Sequence, residues 1–266
     1  MKIFELLNIY DVKPESLNTF TSRREAFTKL GNFGKKIALA AIPVTIASSA
    51  STKAFAKTME PLDVLNFALT LEYLEAEFYT TGLAKAGLIP EGRDRAIFEQ
   101  IEKHEVDHVE FLKAGITASG GTPVEKPTFD FTAGMTFDPF NDYHQFLALA
   151  QAFEDTGVRA YKGQAANLME SNELLTVALQ IHSVEARHAS EVRRLRGLKG
   201  WITQHDRGEG MPAQAQAVYD GEDVLIQAGV DVTTVTSIGA DGVTESFDEP
   251  LTLEEVLTIA GLFIAA

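Results

Sequence analysis

From Leu62 onward the positions Leu62, Leu65, Leu69, Glu72, Ala76, Tyr79 and Leu83 follow one another at alternating steps of three and four, which places them on one face of a helix. Every member of that stripe is apolar or aromatic except Glu72, while Glu75 and Glu77 fall beside or behind it. A second stripe, Phe98, Ile101, Glu105, His108 and Leu112, predicts a helix that stops at Gly115, with two polar residues interrupting its seam. Residues 116–142 lose the helical period and gain Gly120, Gly121, Pro123, Pro127, Gly134 and Pro139, the composition of a long crossover. The seam then returns as Leu147, Ala150, Glu154, Gly157, Tyr161, Gln164 and Leu168, and again as Leu174, Ala178, Ile181, Glu185, His188, Val192 and Leu195. The pattern predicts an all-α fold, a four-helix bundle over residues 57–200 with the long crossover between helices 2 and 3. Residues 201–266 read as a C-terminal extension packing on the bundle. Within it we expect a helix near Pro212–Tyr219, an extended run Val230–Val235, and a short final helix opened by a capping box of Thr252 with Glu255.

The two halves of the bundle repeat each other. Glu72 to Tyr79 and Glu154 to Tyr161 are both Glu-x6-Tyr, and Glu105-Val-Asp-His108 and Glu185-Ala-Arg-His188 are both Glu-x-x-His. In a di-metal carboxylate bundle two helices each give a Glu and the other two each give a Glu-x-x-His pair, because residues i and i+3 face the same way. The ligand set is therefore Glu72, Glu105, His108, Glu154, Glu185 and His188. Four ionised glutamates in an apolar seam repel and carry a desolvation cost, which two divalent cations cancel. Hard oxygen ligands with two imidazoles and no thiolate suit iron or manganese, with zinc able to occupy the same ligands. Tyr79 and Tyr161, two turns after their glutamates, lie where their hydroxyls can bond ligands on facing helices. The same tyrosines also read as plain core residues with one buried partner. His104, His144, His182 and His205 occupy no repeated seam position, so surface or supporting roles suffice for them.

Charge and the N-terminus narrow the setting. Arg23 and Arg24 precede an uncharged stretch from Ile37 to Ala50, followed by Ala54-Phe55-Ala56, the layout of a cleavable export signal over residues 1–56. That stretch is shorter than the roughly 20 apolar residues a spanning helix needs, so no stable membrane anchor is expected after cleavage. The segment SRREAFTK resembles a twin-arginine signal with Phe27 one position late, which leaves the twin-arginine and general secretory routes both open. Export would place the protein in the periplasm or otherwise outside the cytoplasm. Without residues 1–56 the chain carries 15 basic against 34 acidic residues, a poor surface for nucleic acid. The absence of cysteine excludes disulfides and thiolate chemistry. A homo-oligomer is compatible with this composition.

The segments LNFALTLEYLEAEFY, EKHEVDHVEFL, FEDTGVRAY and HSVEARHASEV resemble the ferritin-like domain family that includes desiccation-related proteins and exported bacterial members. The Glu-x6-Tyr and Glu-x-x-His pairs are also similar to those of rubrerythrin, whose di-iron site reduces peroxide but which adds a cysteine-bound iron domain that this chain cannot form. The resemblance implies a di-metal oxidoreductase acting on a small-molecule oxidant, dioxygen or peroxide. The alternative, which the likeness to desiccation-related proteins favours, is a non-catalytic metal-binding protein of stress or desiccation protection.

Overall fold

The computed structural model describes residues 59–265, so the export signal read in residues 1–56 lies outside the described residues. Four long helices follow the four stripes: α1 Pro61–Ala84, α2 Arg93–Ala118, α3 Tyr143–Gln164 and α4 Asn172–Leu195. Helix α1 starts with Pro61 in its first turn, where a missing N–H costs nothing. Asp142 caps α3 by accepting from the amides of His144 and Gln145, and Ser171 caps α4 by accepting from that of Leu174. Helix α2 does not stop at Gly115 as its sequence suggests. It runs on to Ala118 and ends where Gly120 turns to φ +81 and the amides of Gly120 and Gly121 bond back to Thr117 and Ile116. Burial of Ile116 against the bundle extends the helix past the glycine.

Helix α1 packs along α2 and α3 along α4, and the two pairs meet through α1–α3 and α2–α4 contacts. The long crossover between α2 and α3 supplies Phe131, Phe137 and Phe140 to an aromatic cluster at one end of the bundle. There Phe78 of α1 stacks on Phe146 of α3 at 4.7 Å and 11°, and Phe153 meets Phe263 edge-on. The bundle is thus closed at that end by rings from elements distant in sequence.

The extension explains an oddity of α3, whose residues Phe146–Tyr161 are all buried although they include Gln151, Asp155 and Arg159. Residues 201–263 wrap its outer face. The amide of Leu251 bonds the carbonyl of Arg159, and Gly163 is required at the crossing, because a Cβ there would stand 1.9 Å from the Leu251 carbonyl oxygen. Arg159 is 1% exposed and donates to the carbonyls of Val218, Asp220 and Glu249 while pairing with Glu222. The expected helix near Pro212–Tyr219 is a 3₁₀ turn, Ala213–Val218. The extended run Val230–Val235 is mostly not extended: Ile226–Gln227 (β1) pairs antiparallel with Val230–Asp231 (β2), and Val232–Thr234 then turns as 3₁₀ under an Asp231 cap. A one-turn helix, α5 Gly239–Thr244, carries no amphipathic signal long enough to be read. The final helix, α6 Leu253–Ala260, has the capping box, with Thr252 and Glu255 each bonding the other's amide. Its Val256 and Ile259, with Phe263 beyond, are buried, whereas Leu257 and Leu262 are half exposed.

Candidate metal centre

Each of the four bundle helices brings its polar seam residue to one place. Glu72, Glu105, Glu154 and Glu185 are completely buried, His188 nearly so, and the His108 side chain retains 15% exposure. His108 Nδ1 lies 3.1 Å from Glu72 Oε2, 3.3 Å from Glu105 Oε2 and 3.2 Å from Glu185 Oε1. His188 Nδ1 lies 2.8 Å from Glu105 Oε1, 3.3 Å from Glu154 Oε2 and 3.5 Å from Glu185 Oε2. Glu105 and Glu185 thus turn one oxygen to each histidine, while Glu72 and Glu154 serve one side each. Two groups result, Glu72, Glu105, His108 and Glu185, and Glu105, Glu154, Glu185 and His188, each offering ligand atoms within 4.8 Å of one another.

Part of this set converges without bonding. Among the described residues, Glu105 Oε1, Glu154 Oε2, both oxygens of Glu185 and His188 Nδ1 are buried with no hydrogen-bond partner, although the distances are those of contact. Buried polar atoms almost always have partners. Buried carboxylate and imidazole atoms aimed at common points fit cations at those points, and the oxygen and imidazole donor set fits iron or manganese.

The tyrosines cross between the halves. Tyr79 of α1 donates to Glu154 Oε1 of α3 at 2.5 Å, and Tyr161 of α3 donates to Glu72 Oε1 of α1. Burial and the adjacent carboxylates push both phenols well above their ordinary range, which keeps them protonated and donating. Each terminal glutamate is left with its other oxygen facing a histidine.

Electrostatics describe a site under charge stress without cations. Burial, then the neighbouring carboxylates, push Glu75 well above the usual carboxylate range; burial and Glu185 do the same to Glu105, and burial lifts Glu154 to about 7. Burial also opposes ionisation of Glu185, yet its contacts with His108 and His188 hold it down to about 2. For the histidines burial works against the charged form, but the surrounding glutamates win and raise both. The metal-free site thus holds protons where cations would otherwise stand.

Two further residues belong to the site. Glu75, which the stripe pattern sets to the side, is 3% exposed. Gly157 on α3 makes room for it, since a Cβ there would lie 3.2 Å from Glu75 Oε1 and 3.6 Å from Glu185 Cγ. His104 faces the far side of His188, its Nδ1 2.9 Å from His188 Nε2. The other histidines stay away: His182 bonds the Val158 carbonyl at 3.0 Å, and His144 and His205 are exposed. Two small cavities flank the centre. One of about 20 Å³ is apolar apart from Tyr161 and Gln164, and one of about 10 Å³ is lined by Glu75, Thr156, Gly157 and Ile259.

Comparison with functionally curated proteins finds none that matches. The sequence model of the ferritin-like domain matches residues 60–198, which span α1 to α4 and all six converging glutamates and histidines. The chain belongs to the ferritin-like domain family.

Proposed function

We propose that this protein holds two iron or manganese ions and uses them in redox chemistry with dioxygen or peroxide. The observation that carries the reading is the convergence of buried carboxylate and imidazole atoms from all four helices into two groups, several of them without a hydrogen-bond partner. Glu72, His108 and the shared Glu105 and Glu185 would hold one ion, and Glu154, His188 and the same shared pair the other. Such ions, when bound, would each supply one electron to the oxidant on passing from the divalent to the trivalent state, and an external one-electron donor would return them to the divalent state. The protein's part is to fix the donors: Tyr79 and Tyr161 pin Glu154 and Glu72 across the bundle, and the aromatic end excludes water. Adjoining cavities of about 10 and 20 Å³ have room for about one water-sized molecule, which favours a small oxidant over an organic substrate. The leader pattern of residues 1–56 supports work outside the cytoplasm. Among the described residues no helix is long and apolar enough to cross a membrane.

Elemental analysis of the purified protein beside a Glu105→Ala, Glu185→Ala double variant tests the site. About two iron or manganese ions per chain are expected in the first and few in the second; no bound metal in either refutes the reading. Consumption of peroxide or dioxygen by the loaded protein then separates redox turnover from a second reading, a stress-protective metal protein without turnover. The burial of both tyrosine hydroxyls against ligands favours neither, because it stabilises both.

A further inference from the structure

The two halves of the centre repeat in sequence, but their histidines are supported differently. His188 turns Nδ1 to the glutamates and Nε2 outward, where it lies 2.9 Å from His104 Nδ1. The two rings lie 15° from parallel with centroids 5.2 Å apart. That separation is the N···N distance plus about one ring radius at either end, so the rings meet edge to edge in a common plane, as a hydrogen bond requires. On the far edge of His104, Nε2 lies 2.6 Å from the side-chain amide nitrogen of the exposed Gln100, an amide whose nitrogen and oxygen exchange places on a half-turn. His108 has no such backing. Its Nδ1 also faces glutamates, but no protein acceptor among the described residues meets its Nε2. The residue preceding Glu105 is His104, whereas the one preceding Glu185 is Val184, which offers no acceptor.

Tautomer logic gives this difference a consequence. A histidine can give its Nδ1 lone pair to a cation only if its proton sits on Nε2, and that N–H then needs an acceptor. His104 Nδ1 is that acceptor for His188. His104 must then carry its own proton on Nε2, and the Gln100 amide must turn by a half-rotation so that its carbonyl oxygen replaces its nitrogen as the partner. Ring orientation at His188 is therefore set before a metal arrives, and loss of its Nδ1 proton to the incoming cation leaves the Nε2–H tautomer already paired, whereas water must serve His108. Partners of this kind are typically worth about 10–100-fold in metal affinity.

We propose that His104 is a positioning residue that makes the two metal subsites unequal, so that the subsite at His188 fills first and the subsite at His108 fills last and exchanges fastest. The proposal rests on the di-metal reading above. Stepwise titration of the metal-free full chain with Co²⁺, followed by calorimetry and by hyperfine-shifted proton NMR, tests it. The wild type is expected to show two steps separated by about 10–100-fold, and one imidazole N–H signal that resists exchange with water. His104→Ala should weaken the first step by about that factor, leave the second unchanged and abolish the protected signal. His104→Asn, which keeps an acceptor, should restore part of the gap. Two equal steps in the wild type, or equal weakening of both steps or of neither in His104→Ala, would overturn the proposal while leaving the di-metal reading intact. Failure of the wild type to bind Co²⁺ would overturn both.

Discussion

Removing metal should make the stability of this protein fall as pH rises, and adding metal should reverse the trend. In the metal-free fold Glu154 is lifted from an ordinary 4.5 to about 7, mainly by burial. A carboxyl whose folded value is raised contributes stability that is complete below 4.5 and is lost as pH climbs to about 7. For Glu154 that contribution is on the order of 3 kcal/mol. Glu75 and Glu105 are raised as well and act with the same sign. The raised histidines contribute fully below 6.5 and lose their contribution above it, again in the same direction. Glu185, held at about 2, contributes above 4.5 and loses this only as pH falls toward 2, so it is constant across the window. Bound cations displace these protons, and their affinity therefore grows with pH. For a domain of this size 1 kcal/mol moves the melting temperature by about 2–4 °C, so Glu154 alone accounts for roughly 6–12 °C. Differential scanning calorimetry at pH 5 and pH 8, with chelator or with Mn²⁺, measures both curves. The gap between them should widen by at least that amount from pH 5 to pH 8. A gap that stays constant or narrows, or a metal-free protein more stable at pH 8 than at pH 5, would refute the reasoning.

Glu75→Gln should leave the metal-free melting temperature at pH 5 nearly unchanged, since the carboxyl is already protonated there, and raise it at pH 8; the same scans check this. Tyr79→Phe and Tyr161→Phe each remove a buried donor to a ligand carboxylate, so each should weaken metal binding by about 10–100-fold in a Co²⁺ titration, with little change in helix content by circular dichroism. Arg159→Met leaves Glu222 buried without its cation and strips three carbonyls of their donor. A loss of about 3–5 kcal/mol is expected, read as a drop in melting temperature at pH 8. The drop should shrink below pH 7, because Glu222, lifted to about 7 chiefly by burial, can then take up a proton.

The six converging residues were legible because a Glu or His in an otherwise apolar stripe is conspicuous, and because the same intrusion recurs in both halves at matching phase. Helical periodicity reports which residues share a face, but not how wide the buried face is. Glu75 shows this: it flanks the α1 stripe, and it is buried because α3 offers a glycine opposite it and α6, some 180 residues later, closes over that flank. Asp155 and Arg159 on α3 were hidden for the same reason, since their cover comes from residues 201–263. His104 gave only a weak signal, standing one turn before His108 with a partner 84 positions away. The short elements of the extension were misread because two-residue strands and 3₁₀ turns lie below the length at which periodicity carries information.

Burial on both sides of α3 ties the extension to the metal centre. Its inner face carries Glu154 and its outer face Asp155, so satisfying the second constrains the first. Asp155 accepts a two-pronged bond from Arg193 of α4, at 3.1 and 2.6 Å, and a third bond from Tyr219 of the extension at 2.8 Å. Gln151, one turn earlier, bonds Tyr219 at 2.9 Å and accepts from Arg196 of α4. These pairs fix the register of α3 against α4, and hence of Glu154 against Glu185 and His188, without help from metal. Between α1 and α2 the links outside the ligands are peripheral, such as the exposed Thr80–Glu102 bond at 3.0 Å and long bonds from Arg95 to the Leu83 carbonyl. The repeated halves have therefore diverged in support rather than in ligands. The α3–α4 half is held rigid by buried charge and by the extension, and its histidine is the one backed by His104. On the di-metal reading, pre-organisation and tautomer control would thus fall on the same side of the centre, leaving the α1–α2 side, with the more exposed His108, as the half that would adapt to an ion.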